Sequence, residues 1–575
     1  MVAEERREKM APAITLASSA SDAKTPFLHL EEEDTVDGAV DYKGSPAIRS
    51  KHGRWRSASF IIGVEVAERI AYYGITSNLI SYLTGPLGQS TATAAANVNA
   101  WSGFGSLFPV IGAIIADSFL GRYRTIVVSS FIYILGLGLL TLSAVLPSTN
   151  SFSYQTISIF FSLYLVAIGQ SGHKPCVQAF GADQFDGQDP EESKAKSSFF
   201  NWWYMGMCLG PLLVISVLNY IQDNVGWGLG FGIPCIIMTT ALVIFFLGSR
   251  TYRHVVTSEE RSAFMRIGRV FAAAARNWRI KQSTIDVEEE AQGFFPFLGS
   301  EQFRFLDKAL VATSSSDDDS KACSKSEVEE AKAVLRLFPI WATSIVYAIV
   351  FSQSSTFFTK QGLTMDRSLG SSFTVPPASL QSFISLSVVL FIPIYDRIIV
   401  PTARNCTGKP AGITMLQRIG TGMFISAMSM IIAAIVEKKR LETALEHGLV
   451  DMPNATVPMS VWWLVPQYAL FGVSDVFTMV GLQEFFYDQV PTELRSVGLS
   501  LYLSVFGVGS LLSSLMVSII DKASGSNGRD SWFSNNLNRG HLDYFYCLLA
   551  GLSVIEITLF VYFAKSYIYN RKSAI

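Results

Sequence analysis

Long apolar runs, each of a length that crosses a bilayer, alternate with short polar connections over most of the chain. They begin near residues 58, 97, 125, 155, 198, 228, 335, 376, 411, 461, 496 and 543. About 20 apolar residues at ~1.5 Å each span the ~30 Å hydrocarbon core, so about twelve membrane helices are predicted. One hydrophilic stretch interrupts the pattern after the sixth run. The layout is that of an all-α membrane protein: a cytosolic N-terminal tail (1–56), a six-helix bundle (57–248), a cytosolic linker (249–333), a second six-helix bundle (334–568) and a short cytosolic tail (569–575). Two such bundles are built to rock about a central cavity.

Composition agrees. Charged residues make up 16% of the 575-residue chain and hydrophobic residues 49%, against about 25% charged in ordinary globular proteins, and mean hydropathy is +0.32. Residues 1–56 are polar and lack a basic segment followed by an apolar one, so no cleavable signal is expected and the first span acts as the internal signal. Lys51, Arg54 and Arg56 precede the first span, and Arg122 and Arg124 follow the second. The connections after spans one, three and five contain no Lys or Arg, which places both termini in the cytosol. The six cysteines form no CxxC pair and read as small buried hydrophobes. The six scattered histidines suggest no metal site, and a net charge of −2 gives no bias toward nucleic acid.

Against this apolar background the charged positions stand out. Glu65, Glu68 and Arg69 lie in the first run, where Ala58 to Leu83 holds no other charge. Their i, i+3, i+4 spacing puts two acids and a base on one helix face. An ionisable group at mid-membrane costs at least ~2.5 kcal/mol and usually faces a polar pathway or a partner. Lys174 lies in span four, Asp475 in span ten, and Glu484 near the inner end of span ten. A carrier driven by protons needs such a set: a carboxylate that gains and loses a proton beside a cation, so that protonation changes which partner the cation holds. Exchanging one ion pair for another biases two conformations by the few kcal/mol a switch requires. Glu65 and Glu68 are the candidate proton carriers, Arg69 and Lys174 the candidate cations. A static ion pair is the plainer alternative for each.

The connection between spans two and three, Gly112-AIIA-Asp117-SFL-Gly121-Arg122-Tyr123-Arg124, allows a tight turn at Gly121 and a charge pair or helix cap between Asp117 and Arg122 or Arg124. It resembles the loop motif of the major facilitator superfamily, with a weaker echo at Tyr395-Asp396-Arg397 where a second repeat would put it. In the linker, Ser258 to Lys281 interleaves Phe264, Met265, Val270, Phe271 and Trp278 with Arg266, Arg269, Arg276 and Arg279, as in an amphipathic helix on the inner membrane surface. Thr313 to Lys325 reads as a disordered tether whose Ser314 to Ser316 offer a kinase a substrate. Asn454-Ala455-Thr456 is a glycosylation motif in an outward loop, whereas Asn405-Cys406-Thr407 falls in a cytosolic one.

Longer motifs carry a more specific resemblance: E-V-A-E-R-I-A-Y-Y-G from Glu65, A-D-S-F-L-G-R-Y from Ala116, G-H-K-P-C-V-Q-A-F-G-A-D-Q-F from Gly172, F-F-N-W-W-Y from Phe199, R-F-L-D-K-A from Arg304, T-M-D-R from Thr364 and E-F-F-Y-D-Q from Glu484. In this order, over roughly residues 55 to 568, the chain resembles the plant nitrate transporter 1/peptide transporter family, part of the proton-dependent oligopeptide transporter group. The resemblance implies a major-facilitator fold and proton-coupled uptake of nitrate or a small organic solute such as a peptide, hormone or specialised metabolite. It implies Glu65, Glu68 and Arg69 as the coupling motif and Lys174 as its partner, with the proton gradient rather than a cofactor as the driving force.

Three positions depart from the family pattern. Cys208 stands where the family has an asparagine, Asp475 where it often has glutamate, and Phe351 where nitrate-carrying relatives can place a histidine. Tyr72, Tyr73, Asn78, Phe351, Gln353, Gln381, Tyr468, Asp475 and Phe477 are the expected substrate lining, a mix suited to a partly apolar solute. No nucleophile triad, Cys/His pair or metal spacing suggests an enzyme. A transporter-like sensor or scaffold, or a passive carrier, is the alternative. The expected partners are the solute, protons and the lipid bilayer, and the membrane is the plasma membrane or that of the vacuole.

Overall fold

The structure, a computed structural model, describes residues 35–146, 152–186, 189–255, 263–278, 303–310, 323–370, 373–407, 413–490, 495–526 and 530–567. Its N-terminal half is built from α1 (Arg54–Thr76), α2 (Thr91–Ile115), α3 (Arg122–Val145), α4 (Phe152–Ala182), α5 (Pro190–Asn224) and α6 (Trp227–Gly248). The C-terminal half holds α7 (Lys325–Thr343), α8 (Ser382–Ile394), α9 (Met415–Glu446), α10 (Val465–Asp488), α11 (Arg495–Ser524) and α12 (Leu542–Ser566). Among the described residues eight helices are long and apolar enough to cross a membrane, and α7 with its continuation Ile345–Phe351, bent by 47°, makes a ninth. Helix α1 falls outside that set, with Glu65, Glu68 and Arg69 in its middle.

Within each half the helices pack closely. In the N-terminal half α1 lies against α4, α5 and α6, and α4 against α2 and α3; in the C-terminal half α9 lies against α10 and α12. The halves meet where α2 packs on α11 and α5 on α8. At the first crossing a Cβ on Gly103 would sit 2.8 Å from Leu511 Cγ, and one on Gly507 would sit 2.5 Å from Leu107 Cγ, so only glycine fits at either place. Lipid supplies no hydrophobic drive between helices, and close backbone approach through small residues is what holds such a crossing.

Among the described residues five hydrogen bonds join the halves, all toward the face opposite the linker. Thr91 N donates to Asn535 Oδ1 (2.9 Å), Asn99 Nδ2 to Ser513 Oγ (3.0 Å), Lys360 Nζ to Thr84 Oγ1 (3.1 Å), Ser379 Oγ to the Ile215 carbonyl (3.2 Å) and Gln381 Nε2 to the Ser77 carbonyl (2.9 Å). On the linker face no hydrogen bond or ion pair joins a described residue of one half to a described residue of the other.

Three expectations change. Residues 35–56, read as part of a tail, carry β1 (Thr35–Val40) and β2 (Pro46–Ile48), which form an antiparallel sheet with β3 (His254–Val255) just after α6. Ion pairs fix this clasp: Arg49 binds Asp186 (2.7 Å) and Asp189 (2.8 Å), and Arg54 binds Glu192 (2.8 Å). The linker helix Ala263–Arg276 packs much of its apolar face on the protein and leaves Met265 exposed. Ile267, Val270 and Ala274 are buried with Leu306, Val328 and Ala331, while Arg266 and Arg269 face Glu330 (3.3 Å) and Glu327 (3.9 Å) of α7. Acidic residues at the start of α7 supply counter-charge to these arginines. Of the cysteines, Cys176 and Cys323 are buried, but Cys406 and Cys547 are exposed. A thiol is apolar enough to face lipid, as Cys547 does on α12. Ser314 to Ser316 lie outside the described residues; Asn454 and Asn405 are both exposed.

Candidate functional site

The charged face of α1 points into the N-terminal half. Glu65 and Glu68 are 2% and 0% exposed. Arg69 donates to one oxygen of Glu65 through both Nη2 (2.8 Å) and Nε (2.9 Å), and its Nε lies 3.6 Å from Glu68 Oε2. Gln170 of α4 donates to the other Glu68 oxygen at 2.7 Å. One guanidinium therefore serves two buried carboxylates, and the second oxygen of Glu65 has no hydrogen-bond partner.

Lys174, also on α4, was expected to pair with these carboxylates. Its ammonium instead lies over the Tyr72 ring, 4.4 Å from the centroid, and no described carboxylate is within 4.0 Å of it. Tyr72 sits one helical turn beyond Glu68 and stacks on Trp101 of α2, so in this conformation the aromatic face competes with the acids for the cation. Tyr73 meets Tyr72 edge-on. The neighbour of Lys174, His173, is fully buried with neither ring nitrogen hydrogen-bonded.

The C-terminal half holds a different arrangement. Helix α7 ends at Thr343, and the chain restarts at Ile345. Pro339 supplies no backbone N–H to the preceding turn, and the hydroxyls of Thr343 and Ser344 take up the carbonyls of Pro339 (3.0 Å) and Ile340 (2.7 Å). Just past the bend, Tyr347 donates its hydroxyl to Asp475 Oδ1 of α10 (2.5 Å), while its backbone N–H donates to Glu556 Oε1 of α12 (2.9 Å). Neither carboxylate has a described cation within 4.0 Å. Sequence reading missed Tyr347 and Glu556. The signal was available, since Glu556 is the sole charge between Asp543 and Lys565.

Several expected lining residues hydrogen-bond within the protein. Asn78 donates to Asp223 (2.8 Å), Gln353 to the Ile349 carbonyl (2.6 Å) and Ser513 (2.9 Å), and Gln381 to Ser77 of the other half and to Thr359 (3.1 Å). Phe351 packs between Phe471 and Phe506, Tyr468 against Phe358, and Phe477 against Phe391 and Tyr395. Phe351 is only partly buried, unlike Tyr468 and Phe477. The Cys208 side chain lies outside the described residues.

On the linker face, Gly121 makes its turn with φ 73°, Arg122 donates to Asp183 at the end of α4, and Arg124 is exposed. The side chains of Asp117 and Asp396 lie outside the described residues. Nearby, Glu192 binds Arg253, both almost fully buried, at 2.6 Å. Burial pushes the Glu192 carboxyl up, but hydrogen bonds from Arg253, the Asp186 backbone and Arg54 outweigh it and hold its pKa at about 2.

Two helical bundles tied together on one face, with ionisable groups buried in the middle of each, define a multi-pass membrane transporter of the two-bundle class. The sequence pattern of the POT family, PTR2, matches residues 123–533. The chain is 61% identical to Protein NRT1/PTR FAMILY 5.10 of Arabidopsis thaliana over 567 residues, covering 97% of this chain and 99% of that one, and 58% identical to Protein NRT1/PTR FAMILY 5.13 of the same plant over 550 residues, covering 94% and 98%. It belongs to the NRT1/PTR family, within the POT group. The crystal structure of an auto-inhibited POT family peptide transporter superposes with a TM-score of 0.70 over 90% of this chain and 99% of that one, at 23% identity. At that identity the likeness speaks for the fold, which is that of the major facilitator superfamily.

Proposed function

We propose that this transporter is a symporter, in which proton binding at Glu65 or Glu68 drives accumulation of nitrate or a small organic solute by alternating access. The observation that carries this reading is the sharing of Arg69 between two buried carboxylates. Protonating one carboxylate removes the need for its half of the guanidinium, and Lys174 of α4, resting on Tyr72 one turn from Glu68, is near enough in space to answer the change. Exchange of partners within such a set alters the relative energy of two conformations by a few kcal/mol, the scale a carrier needs. The bonds between the halves away from the linker support a state whose path opens on the linker face.

Phe351 supports preference for an organic solute over nitrate. A small hydrated anion needs a cation or several donors in place of its water, whereas an aromatic side chain favours apolar or planar surface at ~25 cal/mol per Å². The host is the plasma membrane or the vacuolar membrane; protons run downhill into the cytosol from the far side of either. The test is an uptake screen in oocytes at acidic and neutral external pH with nitrate, dipeptides and plant metabolites side by side. Accumulation of one class that rises at acidic pH and collapses with a protonophore supports symport. Uptake indifferent to both is the result of a passive carrier.

A further inference from the structure

We propose that Glu556 is a second proton-binding carboxylate of this transporter, seated at the bend of α7 and linked through Tyr347 to Asp475. The proposal rests on the reading of the protein as proton-coupled and adds a site to it in the other half of the molecule.

Glu556 lies midway along α12, 2% exposed. Its two oxygens differ. Oε1 accepts the backbone N–H of Tyr347, whose partner one turn back would be the Thr343 carbonyl had α7 continued through Ser344. Oε2 has no hydrogen-bond partner and is buried. Ser553 Oγ, one turn earlier on the same helix, is likewise buried and unpartnered. A carboxylate anion here would leave Oε2 uncompensated. A proton on Oε2 removes that charge.

Among the described residues no cation competes for the site. Helix α12 packs against α9, α7 and the Ile345–Phe351 continuation. From α9, Arg418 faces Glu484 (3.2 Å), and Glu437 and Arg440 face each other (2.7 Å); from α7, Lys332 is held by Asp307 (2.6 Å) and Arg336 faces Glu329 (3.7 Å). The titratable residue that meets Glu556 is Tyr347, and through its hydroxyl Asp475.

The consequence follows from bond strength. A charged acceptor holds an N–H roughly twice as strongly as a neutral one. The anionic form of Glu556 secures the bend beside Gly509 of α11, where an added Cβ would fall 2.3 Å from that of Ala348. The protonated form loosens it. Tyr347 moves with the bend and carries Asp475 with it, so proton occupancy on α12 reaches the acid on α10 without a direct contact.

Glu556→Gln separates the proton from the hydrogen bond, because the amide oxygen still accepts from Tyr347 while nothing titrates. With nitrate and a dipeptide as probes, the pH profile of oocyte uptake, normalised to surface protein, is expected to shift by about one pH unit, tenfold in proton concentration, in Glu556→Gln. Glu556→Asp is expected to keep a titrating profile. Infrared titration of the purified protein is expected to show a protonated-carboxyl band that disappears in Glu556→Gln and shifts in Glu556→Asp. An unchanged band in Glu556→Gln overturns the proposal, whether or not either probe is transported. A band that disappears while wild-type uptake is indifferent to pH leaves the site standing and sinks the symport reading instead. If Glu556→Gln fails to reach the surface, the Glu556→Asp spectrum decides: a band unmoved there overturns it.

Discussion

The two halves bury acids in opposite ways. In the N-terminal half Glu65 and Glu68 share Arg69, with Lys174 one aromatic ring away; in the C-terminal half Asp475 and Glu556 meet on Tyr347 with no described cation in reach. A buried carboxylate stays charged when a cation is beside it and sheds its charge when none is. The N-terminal cluster is thus suited to exchange ion pairs, and the C-terminal one to take up or release a neutralising proton at a bend. Their common feature is a helix packed on others by close contacts, with the charged groups at its middle.

Removing the shared cation breaks the contrast most severely. Arg69→Ala leaves two buried acids without their guanidinium, and loss of about 3–5 kcal/mol is expected, read as a fall in thermal stability of the purified protein and in surface expression. Stability equal to wild type would mean that the acids never relied on Arg69. Lys174→Ala leaves the Arg69 pairs intact, so the protein is expected to fold while proton-driven accumulation of the screen's best substrate falls at least tenfold. If accumulation is untouched, the ammonium over Tyr72 has no part in coupling.

Giving the C-terminal half a titratable donor sharpens the comparison. Phe351→His replaces a ring held between Phe471 and Phe506, and is expected to raise nitrate uptake relative to organic solute severalfold. Good nitrate uptake and no organic uptake by wild type, with neither altered by the histidine, would show that this position does not select the substrate.

The smallest effect is on the linker face, where the pairing of acid and base resembles that of α1 but lies outside the bilayer. Because the folded Glu192 carboxyl titrates at about 2, below its ordinary 4.5, the stability it contributes is complete above about pH 4.5 and lost as pH falls toward 2. Hydrogen exchange in residues 35–56 is expected to stay slow down to about pH 4.5 and to quicken below it, and Arg253→Ala to quicken it even at neutral pH. Exchange fast throughout would mean that the sheet is not fixed by these pairs.

The α1 cluster was legible in the sequence because charges are conspicuous in an apolar run, and helical spacing alone brought them to one face. Glu556 has the same signature as the single charges Lys174 and Asp475 and was passed over; its meaning comes from Tyr347, distant in sequence, and from a break in α7 that hydropathy does not mark. The internal partners of Asn78, Gln353 and Gln381 were hidden for a related reason. A polar residue in a span serves a ligand or another helix, and only the packing reveals which. The clasp of residues 35–56 was invisible because β3 is two residues long and its partners lie some 200 positions earlier.

Glu65→Gln and Glu68→Gln test the central claim most directly, since the amide keeps the shape of the side chain and cannot titrate. In proteoliposomes loaded and bathed with the substrate from the uptake screen, exchange across the membrane and accumulation under an imposed pH gradient are measured on the same preparations. The account predicts that both variants retain exchange while accumulation falls to the level seen without a gradient. Full gradient-driven accumulation in both would contradict it.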